Sequence, residues 1–174
     1  DVYKGQVDLV GFDDTLTLRV KELNILMNIG FTNSDNTNIV TKLDWDELTN
    51  VSDNGVSGFE SLDKTLDLQV GGGLELGIDT YVKLAGDFEV TQKTGLFIND
   101  GFETAFTGDL LSINLSNVHL FVGSGAGDFN YSSEGLLTGI KDANGTSVTN
   151  ANTTATGFSV SGASGKVAII KNTT

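Results

Sequence analysis

The sequence predicts an all-β fold of elongated, coiled antiparallel sheets, sandwich-like or solenoid-like in arrangement. Three observations predict it. Apolar residues recur with period two and almost nowhere with the helical period. There are 22 glycines and no proline, so turns fall to Gly, Asn and Asp, which tolerate positive φ. The parity of the apolar positions also flips at polar pairs, as bulges or tight turns require.

The elements follow in chain order. "TLTLRV" (15–20) sets Leu16, Leu18 and Val20 on one face, and "ELNILMNI" (22–29) sets Leu23, Ile25, Met27 and Ile29 on one face in the opposite parity. The phase flips at Lys21–Glu22. "LDWDEL" (43–48) is the best candidate for a short helical turn. In "LDLQVGGGLELGIDTYVKLAGDFEV" (66–90), ten of thirteen even positions are large and apolar. A three-residue hairpin loop preserves parity, so Gly71–Gly73 are expected to turn the chain, with one strand running from Leu74 to Val90 and bending at its glycines.

"LLSINL" (110–115) and Val118, Leu120 and Val122 form another pair of phases, flipping at Ser116–Asn117. "GFSV" (157–160) and "KVAII" (166–170) are expected to close the fold as a strand pair around "SGASG". Polar stretches at 32–38, 49–58, 123–135 and 142–157 read as surface loops. No boundary divides the chain, so residues 1–174 read as a single module.

Acidic residues outnumber basic ones 23 to 10, a net charge of −13. Such a surface repels nucleic acid and anionic membrane and favours cations. Cysteine is absent, which removes disulfides and thiol ligands. No run of about 18 apolar residues spans a membrane. The chain starts at Asp1; the expectation is a removed leader or a segment of something longer, at an extracellular or cell-surface location.

Nucleophilic catalysis needs a nucleophile beside a base. The one histidine, His119, alternates with Val118 and Leu120 and reads as packed or exposed on a strand. No phosphate-binding loop or nucleophile elbow is present, and the chain is not expected to be an enzyme. Calcium is the one ion the sequence can accommodate, because it takes six to eight oxygens from carboxylates, amides and carbonyls. The candidate ligands are Asp100 and Glu103 in "INDGFE", Asp142 and Asn144 in "DANG", and Asp44 and Asp46 in "LDWDEL". Asp13, Asp14, Glu47, Asn99, Asp128 and Asn130 stand in comparable turns. The competing reading is that turns simply need Asp and Asn. Glycan binding would rest on Trp45, Tyr81 and Tyr131, a thin aromatic set. Six Asn-x-Ser/Thr triplets are a mild excess that chance explains.

Four segments, "YVKLAGDFEVTQK" (81–93), "LLSINLSNVHLFVGSGAG" (110–127), "GFSVSGASGKVAIIKN" (157–172) and "YKGQVDLVGFDDTLTLRV" (3–20), carry a resemblance. Their order is similar to that of a repeat module in very large, adhesin-like secreted or surface proteins of bacteria. Residues 31–65 match poorly. The resemblance implies tandem repetition, with the last strand of one unit leading into the first of the next, and it brings no catalytic residues. Independently, long strands with open edges are templates for pairing. The expected partners are therefore copies of the chain, or neighbouring repeats, end to end, and the expected role is structural.

Overall fold

The computed structural model describes residues 2–8, 15–30, 42–45, 47, 58–59, 62–99, 101 and 104–173. The chain is all-β, and no helix occurs among the described residues. Among the described residues eight strands follow one another: β1 (Val2–Asp8), β2 (Leu16–Met27), β3 (Leu66–Ile78), β4 (Val82–Ile98), β5 (Phe106–Ser124), β6 (Ala126–Tyr131), β7 (Leu137–Asp142) and β8 (Thr156–Asn172). Six form one sheet in the order β1-β2-β3-β4-β5-β8, and β6 and β7 pair separately. Every pairing is antiparallel. The hairpin lies on one face of the large sheet, so the layered arrangement is the one observed.

The two parity flips read from the sequence are β-bulges. Lys21 faces Gly73 and Asn24 faces Gly71, so β2 holds one extra residue; Glu22 sits there at φ 52. Ala85 faces His119 and Asp87 faces Ser116, and the extra residue, Asn117, has φ 50. A third bulge, at Gly162 with φ 67, lets β8 stay in step with β5. Glycines stand across from the first two. A Cβ on Gly72 would lie 2.8 Å from the Lys21 carbonyl oxygen, and one on Gly86 would lie 3.1 Å from Val118 Cα. The bulged strands crowd their neighbours, and only glycine leaves room.

Three expectations are corrected. Gly71–Gly73 make no hairpin; they lie in mid-β3. The three-residue loop is Asp79–Tyr81, closed by Ile78 facing Val82 and by the Tyr81 N–H on the Ile78 carbonyl at 3.0 Å. Such a loop preserves parity wherever it falls, so alternation alone does not locate it. Residues 157–160 and 166–170 are not a strand pair but one strand, β8, kinked at Gly162. The stretch 123–135 contains β6. In "LDWDEL" residues 43–45 carry no helix, and Asp46 and Leu48 lie outside the described residues. So do 32–38 and 49–57.

Directly paired residues share a face, and this makes the two faces of the large sheet unlike. One row runs Leu18, Leu76, Leu84, Leu120, Val160, and a second runs Ile25, Val70, Val90, Ile113, Val167. The bulges between them restore the phase, so both rows lie on the same face. No residue of either row is buried. The buried cores are on the other face. Ala85 and Phe121 are covered by Ala126, Phe129 and Ile140 of the hairpin. At the far end Leu26 and Leu66 are covered by Leu62, with Trp45 and Phe59 packed alongside. Asn28 fixes that covering by donating from Nδ2 to the carbonyls of Leu43 (2.8 Å) and Asp63 (2.9 Å).

Candidate functional site

Three features could serve a partner: the open sheet edges, a cleft on the covered face, and the acidic turns. Among the described residues, β1 and β8 are the outer strands. One row crosses all six strands without interruption: Val2, Leu26, Gln69, Thr91, Ser112, Ala168. It fixes the polarity of the edges. β1 starts and β8 finishes at the same end of the sheet, and they run in opposite directions. β8 is 17 residues long, its only charges are Lys166 and Lys171, and every residue from Ser164 onward is exposed. None of the usual edge-blunting devices other than the Gly162 bulge and two lysines protects it.

The cleft, about 180 Å³, lies where the bulges meet the hairpin. Its walls include Glu22, Asp87 and Asn117 on the sheet side and Tyr131 and Glu134 on the hairpin side. Lys21 holds both sides together: it pairs with the buried Glu75, donates to the Tyr131 hydroxyl at 2.8 Å and lies 4.3 Å from the centre of that ring. Burial, and then the nearby Glu22 carboxylate, push the Asp87 pKa above its ordinary value.

His119 is buried beside this cleft, in a chain of neutral hydrogen bonds. Asn117 Nδ2 donates to the Leu137 carbonyl at 2.9 Å, so its Oδ1 is the atom that accepts from His119 Nε2 at 2.9 Å. That fixes the tautomer and leaves Nδ1 to accept from Ser161 Oγ at 3.0 Å. The chain ties β5, β7 and β8 together. Burial lowers the His119 pKa, against a smaller upward pull from Asp87. A hydroxyl on a neutral imidazole is a nucleophile–base pair in outline, but neither Ser161 nor His119 lines the cleft.

Of the expected calcium ligands, Asp142, Asn144 and Asp44 lie among the described residues, and protein partners hold each of them. Asp142 Oδ1 accepts from the N–H groups of Asn144 and Thr146, both at 2.9 Å. Oδ2 accepts from Thr154 N (2.7 Å), Thr154 Oγ1 (2.9 Å) and Thr153 Oγ1 (3.2 Å). Five donors occupy the lone pairs a cation would use, and they hold the carboxyl far below its usual range, the Thr154 N–H most of all. Asp142 is thus the knot of the 142–155 loop. Asn144 sits in the same knot, its Nδ2 on Thr154 Oγ1 at 3.3 Å. Asp44 pairs with Lys64 at 3.3 Å. Asp46, Asp100 and Glu103 lie outside the described residues. Among the described residues no three His, Cys, Asp or Glu side chains gather as a metal group. Of the aromatic candidates, Trp45 packs on Phe59 with centroids 5.2 Å apart, Tyr131 is held by Lys21, and Tyr81 is exposed.

Sequence reasoning missed Asn117 and Ser161 as partners of His119. The one available signal was the parity flip at Ser116–Asn117, which marks a bulge and hence a redirected side chain. No protein-family model matches the chain, and no curated protein or solved structure is significantly similar to it.

Proposed function

We propose that this protein is a structural module that extends a β-sheet from unit to unit, as part of an extracellular fibre, surface layer or adhesin. The observation that carries the reading is the polarity of the two open edges. A copy translated along the row from Val2 to Ala168 brings its β1 beside β8 with the antiparallel sense already satisfied. The same placement suits separate copies or repeats in one chain, and it repeats without closing into a ring. Backbone hydrogen bonds supply cohesion, and the alternating side chains of β8 supply register. The acidic turns give each unit charge and solubility.

Two chains of evidence test this. In an edge strand alternate N–H groups point outward, so of two adjacent prolines one removes only a free donor. Gly165→Pro and Lys166→Pro are therefore made in parallel and their mass followed by light scattering against concentration, in EDTA and in millimolar calcium. The expected result is growth of the parent chain and, for one of the two variants, an unchanged melting curve without growth. A two-copy tandem fusion is expected to melt above the single unit, because neighbouring repeats add an interface. A parent that stays monomeric, together with a fusion that melts no higher, overturns the proposal. Growth only with calcium would assign the acidic turns a direct part.

A further inference from the structure

Among the described residues the large sheet is covered on its more polar side, and its apolar side is left bare. Between the row Leu16, Ile78, Val82, Val122, Phe158 and the row Met27, Leu68, Gln92, Leu111, Ile169, the bare face of β2, β3, β4, β5 and β8 carries one polar side chain, Gln92, and no charge. None of its residues is buried. Phe158 is 63% exposed and Ile169 57%. At about 3.3 Å per residue and 4.8 Å per strand the face measures about 35 by 24 Å, or roughly 850 Å². A monomer's largest apolar patch is ordinarily about 300–600 Å².

We infer that this face is the docking surface for a second copy of the chain, the two sheets packing face to face as a sandwich shared between molecules. Area and charge select that occupant. A stable interface takes about 800 Å² from each partner, which this face supplies. The molecule carries −13, and two copies repel wherever acidic surfaces meet. The bare face is where they approach without opposing charges, because Glu75, Asp87 and Glu89 all project from the covered side, in register with Ala85, Ser116 and Asn114. Apolar side chains from two such faces interdigitate with the sheets about 10 Å apart. The contact is isologous and leaves both edges free, so it is independent of strand pairing and would double a fibre laterally.

The test separates the two contacts. A single nitroxide on Val90→Cys is unambiguous because the chain has no cysteine, and Val90 lies on the middle strand of the face. Face-to-face copies place the two labels within about 10–20 Å. Edge-to-edge copies repeat at six strands, or about 29 Å. The short distance is expected, and it should vanish in Leu115→Lys, which puts a charge on the same face and weakens association by roughly 30-fold or more. Val167→Lys serves in its place if Leu115→Lys does not fold. Only the long distance, or a monomer by sedimentation, overturns the inference while leaving strand pairing to be judged by the proline variants. Binding to uncharged phosphatidylcholine vesicles in place of a dimer, lost in Leu115→Lys, also overturns it and makes lipid the occupant.

Discussion

The two faces of the large sheet divide the work of folding and association. The covered face bears most of the charged and polar residues of β2–β5, and its two apolar islands, around Phe121 and around Leu66, are each closed by a connection of the same chain. The bare face bears a nearly unbroken field of Leu, Val and Ile with nothing of the described chain upon it. Stability of the unit is therefore concentrated where the sheet is more polar. An apolar face does not by itself become a core; a connection long enough to cross it must bring apolar residues of its own, as 126–140 does with Ala126, Phe129 and Ile140.

The largest effect expected from breaking this contrast is at Phe121. It is 2% exposed, and Phe121→Ala should destabilise the unit by about 3–5 kcal/mol through lost burial and a cavity beneath the hairpin. Phe158→Ala, on the bare face of the adjacent strand, should cost the dilute monomer less than about 1 kcal/mol while weakening self-association. Urea unfolding at low and high concentration measures both. Equal losses at low concentration would show that the faces are not distinct.

Acid sharpens the contrast, since the titrating groups belong to the covered side. Burial raises the Asp63 pKa, but hydrogen bonds from Lys93 (2.6 Å) and from Thr65 override it and bring the value to about 2. Asp142 is depressed as well. A depressed carboxylate stabilises the fold above its unfolded pKa, so this stability is present above pH 3.8 and is lost as pH falls towards 2. His119 adds an earlier step. Its folded pKa lies below 6.5, so the unfolded chain binds the proton more readily and stability declines as pH drops below 6.5. With a single histidine, a proton NMR titration reads the midpoint directly, and denaturation midpoints from pH 8 to 2 should fall in two stages. In His119→Gln the first stage should flatten.

The smallest effect expected is at the bulge. Glu22 occupies φ 52, where an L side chain costs roughly 1–2 kcal/mol and glycine costs some entropy instead. Glu22→Gly should raise stability by about 0.5–1 kcal/mol by these opposing amounts. It should also bring the Asp87 pKa down, since Glu22 helps to raise it. A loss of stability would mean that the Glu22 side chain supports the cleft.

Much of this was legible in order along the chain. Alternation marks the strands, and the flips at Lys21–Glu22 and Ser116–Asn117 mark where the phase slips, because side-chain direction in a strand has a strict period and any slip shows at once; that both slips are bulges and not tight turns is decided by the pairing. The turn at Asp79–Tyr81 was not legible, since a parity-preserving loop leaves no trace in the pattern and three glycines nearby were the stronger local signal. The candidate site was much less legible. Asp142 in "DANG" has the residue types of a cation loop, yet its acceptors are filled by Thr146, Thr153 and Thr154, and which donors reach a carboxylate depends on how the loop closes. His119 could be assigned to a face but not to partners, because Ser161 is 42 residues away in sequence.

The sequence by itself therefore determined the β class, the apolar parity of β2, β3, β4 and β5 and the places where that parity switches, all local consequences of a two-residue period. Tertiary structure decided which of the two faces is covered. Both faces contain enough apolar residues to be buried, and the choice rests on where the chain sends its connections: Asn117 and Asn28 hold those connections to the more polar side by hydrogen bonds to backbone carbonyls of the covering segments. Such bonds form only after distant segments have met, so no window of the sequence contains them.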